Sequence, residues 1–171
     1  MKMERNNLWA PWRMKYIGGL GKKSECFICH GVLDTENDRE NLVLWRTQKC
    51  VVIFNRFPYN NGHLLIAPKK HVAGLDELDE DEMLELMKLM REGQNILKKT
   101  IKPHGFNIGI NLGRGAGAGL PDHLHIHIVP RWEGDTNFMS VCTDTKVISQ
   151  SLFELYDLLK ETAEKEGLPK V

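Results

Sequence analysis

No stretch of this sequence is apolar for long enough to cross a bilayer, and Met1-Lys2-Met3-Glu4-Arg5 leads into no apolar secretory segment. These absences argue against a membrane partner and predict a cytoplasmic protein. Neither sign of charge is in excess: 23 Lys and Arg stand against 23 Asp and Glu. Bulk attraction to a nucleic acid polymer or an acidic membrane therefore has no support, which leaves open a small anionic ligand held by local groups. Cysteine is scarce. Cys26, Cys29, Cys50 and Cys142, in a chain without an export signal, point to reduced thiols or metal ligands rather than a disulfide framework. Internal repeats are lacking too, and the only low-complexity tract is a glycine-rich loop. One domain, 1–171, is expected, and with 42% hydrophobic residues it has enough chain to bury a core.

What the sequence does hold is concentrated in Asp122-His123-Leu124-His125-Ile126-His127-Ile128-Val129-Pro130-Arg131. Side chains alternate faces along a strand, so His123, His125 and His127 share one face and Leu124, Ile126 and Ile128 the other. Alternate residues lie about 6.6 Å apart, which keeps His123 and His127 from converging on one ion without a bend. A division of labour is expected instead. A neutral imidazole is a competent nucleophile when its other nitrogen is held by a backbone carbonyl, and the middle residue, His125, is the natural attacker.

Two further stretches carry chemistry. Cys26-Phe27-Ile28-Cys29 has the spacing at which two thiolates grip one zinc ion. With His30 it also fits covalent haem attachment, but that chemistry belongs to exported chains, and zinc is the reading adopted. Asn111-Leu112-Gly113-Arg114-Gly115-Ala116-Gly117-Ala118-Gly119 lacks the Gly-Lys-Ser/Thr ending of a Walker loop. Its glycines still let backbone N–H groups approach phosphate oxygens, and Arg114 adds charge. Asn55 could bond a ribose diol or simply cap a turn, and Ile53, Phe54 and Leu65 could wall a base or belong to the core.

Periodicity predicts strands at Asn41–Trp45 and Cys50–Phe54 as a hairpin, at Gly62–Ala67 closed by Pro68, at Phe106–Leu112, and at 124–130. A helix is expected from Asp76 to Lys99, with Leu75, Leu78, Met83, Leu86, Leu89, Met90, Ile96 and Leu97 as its buried stripe and the methionines as core filler. A second covers Ser149 to Lys165. The fold class is α+β, a five-stranded antiparallel sheet in hairpin-like order with one long helix and a C-terminal helix. Residues 1–25 read as an extension pinned by Trp9, Pro11 and Trp12.

His-Leu-His-Ile-His-Ile-Val at 123–129 resembles the motif of the histidine triad (HIT) family of nucleotidyl hydrolases and transferases. So do Asn55-Arg56-Phe57-Pro58, the run from Gly62 to His71, the loop from Asn111, and Pro130 to Met139. With Leu8-Trp9-Ala10-Pro11-Trp12-Arg13 in front, the chain is most similar to the bacterial diadenosine tetraphosphate phosphorylase branch. The resemblance implies a HIT-like core over 26–141 and a homodimer. It implies cleavage of dinucleoside polyphosphates through a nucleotidyl-His125 intermediate, with phosphate or water as acceptor. His127, Asn111, His63, Arg114 and the backbone at Gly117 and Gly119 would handle phosphoryl oxygens, and Asn55 the ribose. Structural zinc would be held by Cys26, Cys29, His71 and His123, with His30 in reserve, and magnesium would accompany the polyphosphate. Gly119-Leu120 departs from the Gln-Ser or Gln-Thr of many family hydrolases. The alternatives are a nucleoside phosphoramidate hydrolase, a metal-dependent hydrolase with His123 and His125 as adjacent ligands, and a nucleotide-binding module with little turnover.

Overall fold

Apolar residues make up β1 (Val43–Arg46) up to Arg46, β2 (Cys50–Phe54) and β3 (Leu64–Pro68), and every residue of β2 and β3 is buried. With β4 (Gly105–Ile110) and β5 (Ile126–Arg131) they form one antiparallel sheet in the order β1-β2-β3-β5-β4. The expected hairpin-like order is therefore corrected in its second half: β5 inserts between β3 and β4, and pairs Ile128 with both Leu64 and Ile108. The computed structural model describes residues 26–135, 148 and 150–171. The 1–25 extension, Thr136-Asn137-Phe138-Met139 and Cys142 lie outside the described residues.

Register fixes what each face does. Phe54, Leu64, Ile128 and Ile108 pair in a row across four strands, and so do Ile53, Leu65, His127 and Gly109. Residues paired in register share a face, so the first row looks one way and the row with His127 the other. The long helix α2 (Glu80–Ile101) covers the first face. It approaches so closely at Gly93 that an added Cβ would lie 2.9 Å from Ile128 Cδ1.

The helix starts later than expected. Leu75–Glu77 is a separate 3-10 turn, because Asp79 accepts from Glu82 N–H at 2.7 Å while Glu82 accepts from Asp79 N–H at 2.9 Å. This reciprocal cap sets the start of the helix at Glu80. The core stripe holds at Leu86, Leu89, Ile96 and Leu97, but Met83 and Met87 are exposed, as is Leu75. The methionine expectation is thus wrong at two positions, because the buried face turns instead through Glu82, Glu92 and Gly93.

A short helix, α1 (Phe27–Leu33), stands where only a cysteine knuckle was expected. Cys26 is its N-cap, its Sγ accepting from Cys29 N–H at 3.5 Å. Arg46 of β1 braces its other end, bonding the carbonyls of Gly31 and Asp34 and the Asp38 carboxylate. The C-terminal helix α3 (Leu152–Glu166) buries Leu155, Tyr156, Leu159 and Ala163 against α2 and β1. Tyr156 Oη donates to the carbonyl of Val43 and Lys160 Nζ to that of Leu44, each at 2.9 Å. These bonds occupy carbonyls of β1, the outermost strand on that side.

Candidate active site and metal centre

β5 begins at Ile126, so His123 and His125 precede the ladder rather than sharing it with His127. The approach is held differently. Leu124 N–H donates to Val72 carbonyl at 2.6 Å, and His123 Nε2 lies 2.9 Å from Pro68 carbonyl, for which it must be the donor. Pro68, expected only to close β3, is its last residue and anchors His123.

These bonds assign protons. His123 donates from Nε2, so its Nδ1 keeps a lone pair. That atom lies 3.1 Å from Cys26 Sγ and 3.5 Å from Cys29 Sγ, while His71 Nδ1 lies 3.2 Å from Cys29 Sγ. All four ligand atoms fall within 4.8 Å of one another. A tetrahedral zinc with bonds of about 2.3 Å to sulfur and 2.05 Å to nitrogen sets sulfur and nitrogen about 3.5 Å apart, so the donor set fits. Burial, then the hydrogen bond and charge of Cys26, push the Cys29 thiol up to about 11. A cation bound between the sulfurs would draw out the thiolate form that burial opposes. His30 is not among the four; it lies 3.8 Å from Asp34 instead.

His125 Nδ1 lies 2.8 Å from the carbonyl of His123 and is again the only donor of the pair. Its Nε2 therefore carries a lone pair. A second chain of bonds fixes His127. Tyr59 N–H donates to His63 Nδ1 at 3.1 Å, so His63 carries its proton on Nε2 and donates to His127 Nδ1 at 2.9 Å. His127 is left with Nε2–H, and Asn111 Nδ2, 3.5 Å away, is a donor too, so that proton stays available. The rings of His125 and His127 meet edge to face at 4.8 Å. One imidazole offers a lone pair and its neighbour a proton.

Burial keeps His63 and His127 neutral. It is the first cause that drives His63 down to about 3, with the charges of His127 and His125 behind it. His127 falls to about 4 by burial and then by His125. Both values lie below the ordinary 6.5, so the unfolded chain takes up protons that the folded chain refuses. Stability is therefore at its full value above pH 6.5 and falls as pH drops through the window down to about 4 for His127, and on to about 3 for His63. Urea midpoints measured from pH 7 to 4 should decline, and more steeply in the wild type than in His63→Gln. Equal slopes would mean that His63 protonates freely in the folded state.

Asn55 closes a turn through Phe57 N–H, which donates to its Oδ1 at 2.9 Å, and its Nδ2 lies 3.3 Å from His63 Nδ1. It also edges a cavity of about 180 Å³ with Phe27, Leu42, Ile53, Phe54 and Phe57. Of the three residues read as either base wall or core, all are buried, and Ile53 and Phe54 also border this cavity. The glycine loop is exposed. Gly117 sits in the left-handed region at φ 83° and commits its N–H to Arg114 carbonyl at 3.0 Å, so its role is conformational. No hydrogen bond or ion pair among the described residues joins Arg114 or Gly119 to the histidines. Tyr59, which the sequence did not single out, stacks on His127 at 5.8 Å and on His63 at 4.8 Å.

The HIT domain family matches residues 36–134, more than half of the chain, and the chain belongs to that family. An AP-4-A phosphorylase of Mycobacterium tuberculosis (strain CDC 1551 / Oshkosh) is 39% identical over 89% of this chain and 81% of its own length. A "Bis(5'-nucleosyl)-tetraphosphatase [asymmetrical]" of Schizosaccharomyces pombe is 34% identical over 54% of this chain and 50% of its own. The crystal structure of a hypothetical histidine triad nucleotide-binding protein from Sulfolobus tokodaii strain 7 superposes with a TM-score of 0.64, at 30% identity, over 82% of this chain and 93% of that one. No helix among the described residues is long and apolar enough to cross a membrane.

Proposed function

We propose that this protein is a nucleotidyl hydrolase or transferase that cleaves dinucleoside polyphosphates of the diadenosine tetraphosphate type through a covalent nucleotidyl-histidine. The observation that carries the reading is the bond from His125 Nδ1–H to the His123 carbonyl, which leaves the Nε2 lone pair available. Nε2 attacks the α-phosphorus, the P–O bond to the rest of the polyphosphate breaks, and His127 Nε2–H donates to the developing charge. Phosphate or water then breaks the P–N bond. Asn55 and the cavity beside it hold the first nucleoside, Asn111 Nδ2 and Arg114, with the backbone N–H of Gly119, meet the phosphoryl oxygens, and Gly117 shapes the loop that carries them. The similarity to the mycobacterial phosphorylase over most of both chains supports this substrate class.

The Cys2His2 group is assigned to structural zinc. Bound there, the ion supplies cross-linking of α1 to the segment before β5. His123 and His125 as paired ligands of a catalytic metal receive no support, since His123 donates from Nε2 to the Pro68 carbonyl and turns its Nδ1 to the thiols of Cys26 and Cys29. The thiols suit a reducing cytoplasm, and the β4 edge, with Ile108 exposed, suits pairing with a second copy.

Product analysis with diadenosine tetraphosphate tests the acceptor. ADP plus ATP, formed only with phosphate present, identifies a phosphorylase, and AMP regardless of phosphate identifies a hydrolase. No turnover under either condition would sink the reading and direct attention to nucleoside phosphoramidates.

A further inference from the structure

A second cavity, of about 270 Å³, opens on the face of the sheet that carries His127 and is lined by Tyr59, Asn60, Asn107, Val129 and Arg131. Its place follows from the register. Val129 and Arg131 are two and four residues beyond His127 on β5, and Asn107 pairs with Val129 from β4. The first cavity contains Ile53 of β2, which is on the same face by way of Leu65. The two cavities thus lie on opposite sides of His127, β2 and β4 being three strand spacings, about 14 Å, apart.

The lining suits a neutral, flat, polar group more than an anion. Arg131 donates from Nε and Nη2 to Asp135 at 2.7 and 3.0 Å and from Nη1 to Asn107 Oδ1 at 2.6 Å, so its charge is offset. Asn107 keeps its Nδ2 donors without a partner among the described residues. Tyr59 is 58% exposed although its ring stacks on two imidazoles, which leaves an aromatic surface open beside the reacting centre. Backbone is open as well: an added Cβ at Gly109, in register with His127, would meet nothing within 4 Å.

We propose that this cavity is the subsite for the second nucleoside, the half of a dinucleoside polyphosphate that departs when His125 attacks the first. The proposal rests on the nucleotidyl-transfer reading and extends it. A substrate with a nucleoside at each end of its phosphate chain needs two such sites flanking the attacked phosphorus, and the sheet provides one on either side of the histidines. The base of the departing half stacks on Tyr59, and its sugar or base edge accepts from Asn107 Nδ2. Arg131 and Asp135 act as positioning residues that hold Asn107.

The test compares diadenosine tetraphosphate with adenosine 5'-tetraphosphate, which has the same phosphates and lacks the second nucleoside. Binding is measured calorimetrically on the full-length His125→Ala protein. The dinucleotide should bind about tenfold more tightly, the scale of one base stacked on an aromatic ring. Adding Tyr59→Ala or Asn107→Ala should close the gap to within about twofold, and Tyr59→Phe should preserve it. Equal affinities in the parent, or a gap that survives both alanines, would overturn the proposal. So would an equal loss for both ligands in Tyr59→Ala, because Tyr59 would then serve only to prop His63 and His127. Wild-type protein that turns over neither compound defeats the nucleotidyl-transfer reading, while the binding gap still decides the subsite.

Discussion

His125→Ala should fold as the wild type does and lose turnover of diadenosine tetraphosphate by a factor on the order of 10⁴ or more, the scale of a removed covalent nucleophile. No neighbour can substitute for it. His127 Nδ1 accepts from His63, and His63 Nδ1 accepts from the Tyr59 amide. His123 Nδ1 faces the thiols of Cys26 and Cys29. The side chain of His125 makes a single described hydrogen bond, to the carbonyl two residues back, so its removal orphans no side chain. Single-turnover kinetics beside a denaturation curve separate chemistry from folding. A variant that retains activity within tenfold of the wild type would show that the attack comes from elsewhere.

Substitution of the metal ligands should affect stability most. Cys29→Ser and His71→Ala should each lower bound zinc from one ion per chain to a small fraction and reduce Tm by about 10 °C. That is the shift expected for several kcal/mol in a domain of this size. Arg46 and the buried Ile28 still hold α1 to the sheet, but its N-terminal end loses its tie to the segment before β5. Turnover should decline with the metal, since the carbonyl that fixes the His125 proton belongs to His123, itself a ligand. Metal analysis with calorimetry checks both. Protein that carries no zinc after growth and purification in its presence, and melts at the same temperature with and without chelator, would remove zinc from this site.

The strongest sequence signals were those with a period. The apolar runs of β2 and β3 were legible because every residue in them is buried, whereas the alternation read over 123–128 holds as a strand only from Ile126, since His123, Leu124 and His125 precede β5 and are all buried. The cysteine pair was legible by spacing, although its partners His71 and His123 came through resemblance rather than through any local pattern. The position of β5 between β3 and β4 was not legible, because it is set by long-range pairing that leaves no mark on either neighbour. Helix α1 is too short for a period to emerge, and its start depends on a cysteine serving as cap. Met83 and Met87 were misplaced because an apolar residue near the stripe of a helix looks buried until the helix is rotated against its sheet. Tyr59 had no signal at all: a tyrosine in a turn is ordinary until two imidazoles are found against its ring.

The contact of α3 with β1 bears on how the protein is made. Tyr156 and the carbonyl it covers are 113 residues apart, so during synthesis β1 emerges long before the side chains that seal its outer edge. Until then Val43 and Leu44 offer bare carbonyls to any extended segment nearby, including the same strand of a neighbouring nascent chain. Yield of soluble protein should thus depend on Tyr156 and Lys160 more strongly than the two hydrogen bonds would suggest. A substitution there would show first as aggregation during expression and only second as a lower melting temperature of the molecules that survive.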